Sequence, residues 1–493
     1  MGIVLKHSFK NTLATYIGFV IGALNTLYMY VHFLGDTYYG LVSYVLSVAN
    51  IMMPLMAFGV QNTLIKYYNE YKTENEKSVF LTFVLFLPLA FVVPFSIIGF
   101  LGYHQIAGFL SQKNPLVYNY IWQIPIIGLS MGYFEIFYAW VKVHLKSVLG
   151  NFIKEVLIRI LVSICLLAVY FKIITPIVFV YSLSIIYVLA LLFMIIYAFK
   201  IRPPVFTFSL PKNYKAIITY SLFIILTGGI ANLFLEIDKF MLNSYIKIEN
   251  IAYYSVAVFI ATIISVPSRS MHQITYPITA KLMTENKLDE LNTLYKKTSI
   301  TLQVVGGLLI LGILVNINQL YLILPIEYSG GIFVVFTIGL SKYFDLILGN
   351  NNAIIFNSKY YKIVLSLGLL LVTLTIILNM IFIPLYGLNG TAFATMISIT
   401  LYSLAKLIFV VKKMKLFPFT TKTLWSFSVL IGCFFLFYFW NFTFHPIINI
   451  ILKSIIISVV YLYTSYKLTL SVDINLLINN ILSKLLKFRN NNN

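Results

Sequence analysis

Runs of about 20 apolar residues recur fourteen times along this chain, with centres from Gly22 to Ile456. That is the helix length needed to cross a hydrocarbon core about 30 Å thick. Inside a bilayer no water is available to the backbone, and a helix satisfies its hydrogen bonds within one segment. The expected fold is therefore an all-α polytopic membrane protein of about 14 transmembrane helices. Composition agrees: of 493 residues, 60% are hydrophobic and 10% charged, whereas soluble chains carry about 25% charged residues.

The formal net charge of +20 raises the question of nucleic acid, but the basic residues are distributed as a topology signal. With the N-terminus inside, 26 of the 35 lysines and arginines fall in inner segments. Four fall in outer loops (Lys113, Lys172, Lys247, Lys453) and five within spans (Arg159, Lys239, Arg269, Lys342, Lys406). Such asymmetry orients a membrane protein with its basic loops in the cytoplasm, so both termini are expected there and no nucleic-acid partner is. Cys165 and Cys433 lie isolated in apolar runs and give neither a disulfide framework nor metal-ligand spacing. The first run, from Tyr16 to Phe33, is too long for a cleaved leader and is expected to be a retained helix.

Two halves can be discerned. TYYGLVSYVLSVANIM (37–52) aligns with IAYYSVAVFIATIIS (251–265), and a similar offset relates the starts of spans five and eleven. Each half then holds six spans and returns the chain to its starting side, as in parallel repeats with a substrate site between them. The expected organisation is a lobe at 1–210, a lobe at 211–415, two additional spans at 416–468 and an amphipathic cytoplasmic tail at 469–493. The proline-rich segment 200–213 is the expected linker. TENKLDELNTLYKK (284–297) is read as a helix lying on the cytoplasmic surface. The tail carries Ile474, Leu477, Ile478, Ile481, Leu482 and Leu485 on one stripe and ends in an asparagine run expected to be disordered.

Charges inside the spans mark the sites to watch. A charge at the centre of a membrane helix costs about 2.5–3.5 kcal/mol on insertion scales, so such residues face a cavity or a partner. The stretch Leu222–Ala280 concentrates them: Glu236, Asp238, Lys239, Arg269 and His272. Arg269, His272, Gln273 and Tyr276 share one helical face, and Asn232, Glu236, Lys239 and Asn243 another. Elsewhere Glu155 and Arg159 are spaced i, i+4, Lys342 and Asp345 i, i+3, and Glu135 has no sequence neighbour of opposite sign. Lys406 sits near a span end, where a lysine snorkels to the interface.

The order of several short motifs resembles the polysaccharide-transport branch of the multidrug/oligosaccharidyl-lipid/polysaccharide exporter superfamily, and within it the Wzx-type O-antigen flippases. The residues carrying the likeness are Gly35…Tyr39-Gly40, Gly59, Asp238-Lys239, Tyr254-Ser255, Arg269…Pro277 and Asn379…Pro384…Gly387…Gly390-Thr391-Ala392. They cover residues 1 to about 415; the last two spans match in number only. The resemblance implies a two-lobed bundle around a central, often cationic cavity that alternates between the two sides. It further implies an undecaprenyl-diphosphate-linked oligosaccharide as substrate (an O-antigen, capsule or exopolysaccharide repeat) and a multi-pass location in the bacterial inner membrane. The bilayer, a polysaccharide polymerase and chain-length proteins are the implied partners.

On that reading Arg269, His272, Gln273, Asp238, Lys239, Glu236, Lys342, Asp345 and Arg159 are the candidate substrate-binding residues, because arginine forks pair bidentately with phosphate and polar groups bind sugar hydroxyls. Helix-to-helix ion pairing is the competing explanation for each. Glu135 and Asp345 are candidates for coupling an ion, with Glu135 alternatively a paired structural group. No catalytic, metal or cofactor site is expected: there is no phosphate-cradling glycine loop and no metal-ligand cluster. Energy must then come from an ion gradient, the membrane potential or the substrate gradient. Rival readings are a lipid II flippase, a drug/cation antiporter and a membrane-embedded glycosyltransferase. Basic residues within the spans weigh against cationic drugs, and the absence of a large outer loop weighs against a transferase.

Overall fold

The computed structural model describes residues 3–360 and 362–490, and no strand occurs among them; about fourteen spans are expected there from the sequence. Twelve helices are long and apolar enough to qualify by length and composition. One of them, Ile363–Met414, is two spans in sequence: Gly387 has φ 55° and ψ −127°, outside the helical region. Only glycine adopts such a backbone without cost, and the chain folds back there so tightly that a Cβ on Gly390 would meet the Phe382 carbonyl. The other missing span is the run from Ser147 to Tyr170. Lys154, Glu155 and Arg159 fall in every window of membrane length within it, and its turn Ile153–Leu157 is wound wide as a π-helix.

The chain divides into two compact units, 1–256 and 257–493, and the division falls within the Glu249–Thr262 helix. In the first unit an aromatic and aliphatic core brings Phe80, Phe137, Trp140, Met194 and Ile217 together. Polar groups join helices at defined heights: Ser184 to Gln123 (2.9 Å), Thr63 to Ser221 (2.7 Å) and Asn114 to the Asn243 carbonyl (2.8 Å). Hydrogen bonds and small residues are the adhesives of helices in lipid, where no hydrophobic force favours helix contact over tail contact. Gly40 is such a small residue, since a Cβ there would run into the Ile248 carbonyl. The segment 203–213 lacks helix but is tied down: the Thr82 hydroxyl donates to the Val205 carbonyl at 3.1 Å and accepts from the Thr207 N–H at 3.2 Å. Arg202, just before it, meets Glu74 at 2.9 Å.

In the second unit, helix Leu288–Val315 is the hub. Thr421–Tyr438 and Pro446–Lys467 pack on it through Val304, Leu311, Cys433, Phe437, Ile457 and Tyr461. Two sequence expectations are corrected here. The segment 288–297 is not a separate surface helix; it forms the first turns of this 28-residue span. Leu291 and Tyr295 are fully buried against Leu282, Ile354 and Val410, so the apolar stripe faces protein. Lys453 is not in an outer loop. It lies in Pro446–Lys467, fully buried, with Nζ donating to the Val315 carbonyl at 3.0 Å and to Asn441 Oδ1 at 3.1 Å. An ammonium at a helix C-terminus satisfies an orphan carbonyl and complements the dipole.

The tail forms a helix, Val472–Asn490, anchored by Asp473 to Lys297 (2.8 Å) and by Ile474, which is buried with the hub. Leu477 and Ile481 are exposed. The side chains of Leu482 and Leu485, and residues 491–493 of the asparagine run, lie outside the described residues.

Candidate functional site

A cavity of about 180 Å³ opens within the second unit. Three backbone features build it. Helix Val266–Thr284 follows a 3-10 turn, Ile263–Ser265, and presents Ser268 and His272. Helix Ile332–Ile347 presents Lys342 and Asp345 from its last turns. It then breaks at Gly349 (φ 58°), and three asparagines follow.

Each asparagine is tied to a different helix. Asn350 holds Thr275 (3.2 Å) and Thr279, Asn351 donates to the Tyr295 hydroxyl (2.7 Å), and Asn352 accepts from Lys406 Nζ (3.2 Å). The triple therefore staples the cavity floor. The polar run in an otherwise apolar stretch was the signal that sequence reading passed over.

Lys406 is the second addition. Sequence position suggested that it snorkels, yet it is 3% exposed, and Nζ donates to Asp345 Oδ1 at 2.8 Å. Ser403, one turn earlier, donates to the same oxygen at 2.7 Å. A carboxylate is there in the same span-buried layer, so the ammonium has no reason to reach for water. The Asp345 side chain keeps 39% of its surface open on the cavity side of the pair.

Of the sequence candidates, the structure thus brings His272, Lys342 and Asp345 around one cavity. Arg269 and Gln273, on the same helix as His272, are exposed and do not line it. Among the described residues Arg269 forms no ion pair.

The remaining candidates belong to the first unit. Glu236 and Lys239 pair with each other at 2.8 Å, and buried Asp238 accepts from the Tyr254 hydroxyl. Arg159 meets Glu155 at 3.3 Å, and its carbonyl accepts from Asn25 at 3.0 Å. Glu135 does have a partner of opposite sign: Lys154 Nζ stands 2.5 Å from its Oε1. The two lie 19 residues apart on neighbouring helices, beyond the reach of a spacing rule.

Comparison with known proteins fits this architecture. The sequence profile of the polysaccharide biosynthesis protein family matches residues 4–283. A curated relative named "probable flippase AglR", from Haloferax volcanii, is 28% identical over 178 residues, an alignment covering 34% of this chain and 36% of that protein. The alignment thus spans about a third of the relative's length.

Among solved structures, the lipid II flippase MurJ in an inward closed conformation superposes with a TM-score of 0.74 at 18% identity, covering 93% of this chain and 98% of that one. An inward-facing multidrug resistance MATE transporter of the MOP superfamily follows with a TM-score of 0.61 at 13% identity, covering 84% and 95%. These likenesses show the fold alone, a multi-helix bundle shared with solved multi-pass membrane proteins. The relatives and neighbours named are transporters and flippases.

Proposed function

The chain belongs to the polysaccharide biosynthesis protein family, and from that premise we propose that it is a flippase for undecaprenyl-diphosphate-linked oligosaccharides. The cargo is an O-antigen, capsule or exopolysaccharide repeat unit, carried across the bacterial inner membrane by alternating access. Both termini face the cytoplasm, and a polymerase and chain-length proteins take up the product. The observation that carries the reading is the cavity itself, in which Lys342, Asp345, Lys406, His272 and asparagines line a space inside a bundle of apolar spans. The relative named a probable flippase supports it.

The physical need is large. Each hydroxyl moved unpaired into hydrocarbon costs about 4–8 kcal/mol, so a saccharide does not cross unaided. Polar walls replace its water, and the polyprenyl tail stays in lipid. Moving a head of net charge −2 outward gains about 4.6 kcal/mol per 100 mV, inside negative, so the membrane potential or an ion gradient supplies the drive. Arg269, exposed and without an ion-pair partner among the described residues, is the group that grips the diphosphate. Its planar fork can hold two phosphate oxygens at once.

Deletion and complementation test the proposal. A strain lacking the protein accumulates lipid-linked saccharide on the cytoplasmic face and loses surface polysaccharide, and the wild-type chain restores both. Normal surface polysaccharide in the deletion strain would remove the assignment.

A further inference from the structure

Between helices Pro176–Ile201 and Tyr214–Tyr245 of the first unit, the chain leaves helix over 203–211. Pro203 and Pro204 end the first of these helices, because proline has no N–H to continue it. Both ends of the excursion are clamped near the start of helix Glu74–Phe86. Arg202 meets Glu74 at 2.9 Å and Lys212 meets Glu76 at 3.5 Å, while Asn213 accepts from the Tyr71 hydroxyl and donates to Glu70 at 3.4 Å. The middle climbs away from these clamps along the same helix. Thr82 holds Val205 and Thr207, and the Phe86 ring meets those of Phe206 and Phe208 at centroid distances of 6.0 and 5.7 Å. At 1.5 Å per residue, Phe86 stands about 18 Å beyond Glu74 and about 10 Å into the apolar run that begins at Val79.

The segment is thus a re-entrant loop on the rim of a span. Its tip is apolar, with Phe208 86% and Leu210 63% exposed. Its backbone is open: the N–H groups of Phe206, Phe208, Ser209 and Leu210 have no acceptor among the described residues. Hydrocarbon supplies no acceptor, and irregular backbone is not left bare at that depth. A phospholipid drawn inward at the loop brings both the missing acceptors and apolar chains. Charge then selects among phospholipids. The Lys212 side chain is 93% exposed, and Lys72, Lys200 and Lys215, close in sequence to the clamps, are exposed without an ion-pair partner among the described residues. Lysines in such a position attract anionic headgroups.

We propose that the loop 203–211 seats an anionic phospholipid of the leaflet on the basic, cytoplasmic side. The phosphate accepts from the open N–H groups of 206–210 and from Lys212, with Lys215 adding charge, and the acyl chains lie on Phe208 and Leu210. Hydrogen bonds from backbone N–H to an ionised oxygen are shorter and stronger than neutral ones. The seat belongs to the surrounding lipid and is independent of which cargo crosses.

The test reads which lipid stands against the tip. Full-length Phe208→Trp protein is placed in nanodiscs of phosphatidylglycerol and phosphatidylcholine in equal parts, with bromine on the chains of one lipid or the other. Bromine quenches only a neighbouring indole, and the quenching of the native tryptophans, measured on the wild type, is subtracted. Leu210→Trp is the second reporter should Phe208→Trp fail to fold.

Brominated phosphatidylglycerol is expected to quench the new tryptophan several times more than brominated phosphatidylcholine. Adding Lys212→Gln/Lys215→Gln, both at exposed positions, should cut that preference by up to about fivefold per lysine and leave the summed quenching by the two lipids unchanged. Equal quenching by the two lipids before the lysines are changed would overturn the proposal, since the tip would then touch only bulk lipid. Quenching by neither would overturn it by placing the tip in water. A preference that survives the loss of both lysines would overturn it as well.

Discussion

Lys406, 3% exposed, places its ammonium 2.8 Å from Asp345 Oδ1, across 61 residues of sequence. Breaking one side of a buried pair leaves an uncompensated charge, which costs about 3–5 kcal/mol when both partners are fully buried. The cost here is lower because Asp345 opens onto the cavity. Lys406→Met and Asp345→Asn should each lower the thermal midpoint and membrane abundance, and the double variant should recover most of the loss. Double-mutant analysis of melting in detergent measures this. Additive losses would mean that the two residues act independently.

Glu135 and Lys154 give a second cross-helix pair, at 2.5 Å, in which the lysine side chain is 46% exposed. With a cation so near, the carboxylate serves as a counter-ion joining Gln123–Val143 to the Ser147–Tyr170 run. Glu135→Gln should reduce abundance, Lys154→Met should partly restore it, and the pH profile of transport per folded molecule should stay as in the wild type. A flattened profile would place the coupling proton on Glu135.

Which of these relationships was legible beforehand depends on distance along the chain. Glu236 with Lys239 and Glu155 with Arg159 are one helical turn apart, and helix geometry alone brings them together. The spans followed from length and apolarity, including the two that fuse around Gly387. Lys154 with Glu135, Lys406 with Asp345 and Lys453 with Val315 depend on which helices become neighbours, and periodicity carries no information on that. The segment 288–297 was misread for a related reason. An apolar stripe with a charged back fits an interfacial helix and a span's protruding first turns equally well, and only the burial of Leu291 and Tyr295 distinguishes them.

Lys453 makes a stability prediction free of transport. Its ammonium satisfies the last carbonyl of Leu288–Val315, a contact worth up to about 2 kcal/mol in buried geometry. Lys453→Met should lower the melting temperature and leave transport per folded molecule unchanged. A wild-type melting curve would show that Asn441 and the surrounding packing suffice.

Orientation is tested by reporter fusions. Fusions after Pro211 and Lys415 should report cytoplasm, and fusions near Gln112 and Tyr386 the outside, because the basic residues crowd one set of loops. Reversal at any of the four positions breaks the fourteen-span order.

Arg269 is exposed on the helix that also carries His272 and has no ion-pair partner among the described residues. Its replacement should therefore spare folding. Export should fall in the order wild type, Arg269→Lys, Arg269→Ala at equal membrane abundance, because lysine keeps the charge and loses the fork. Normal export by Arg269→Ala would remove it from the substrate site.

The most direct measurement reconstitutes the protein in vesicles holding labelled undecaprenyl-diphosphate-linked saccharide on one leaflet, with a potential imposed across the membrane. A membrane-impermeant reagent added on the opposite side then reads how much saccharide has crossed. The account predicts crossing with the wild-type protein that is faster when the potential drives negative charge outward, and slowed by Arg269→Ala. Crossing no faster than in protein-free vesicles would contradict it.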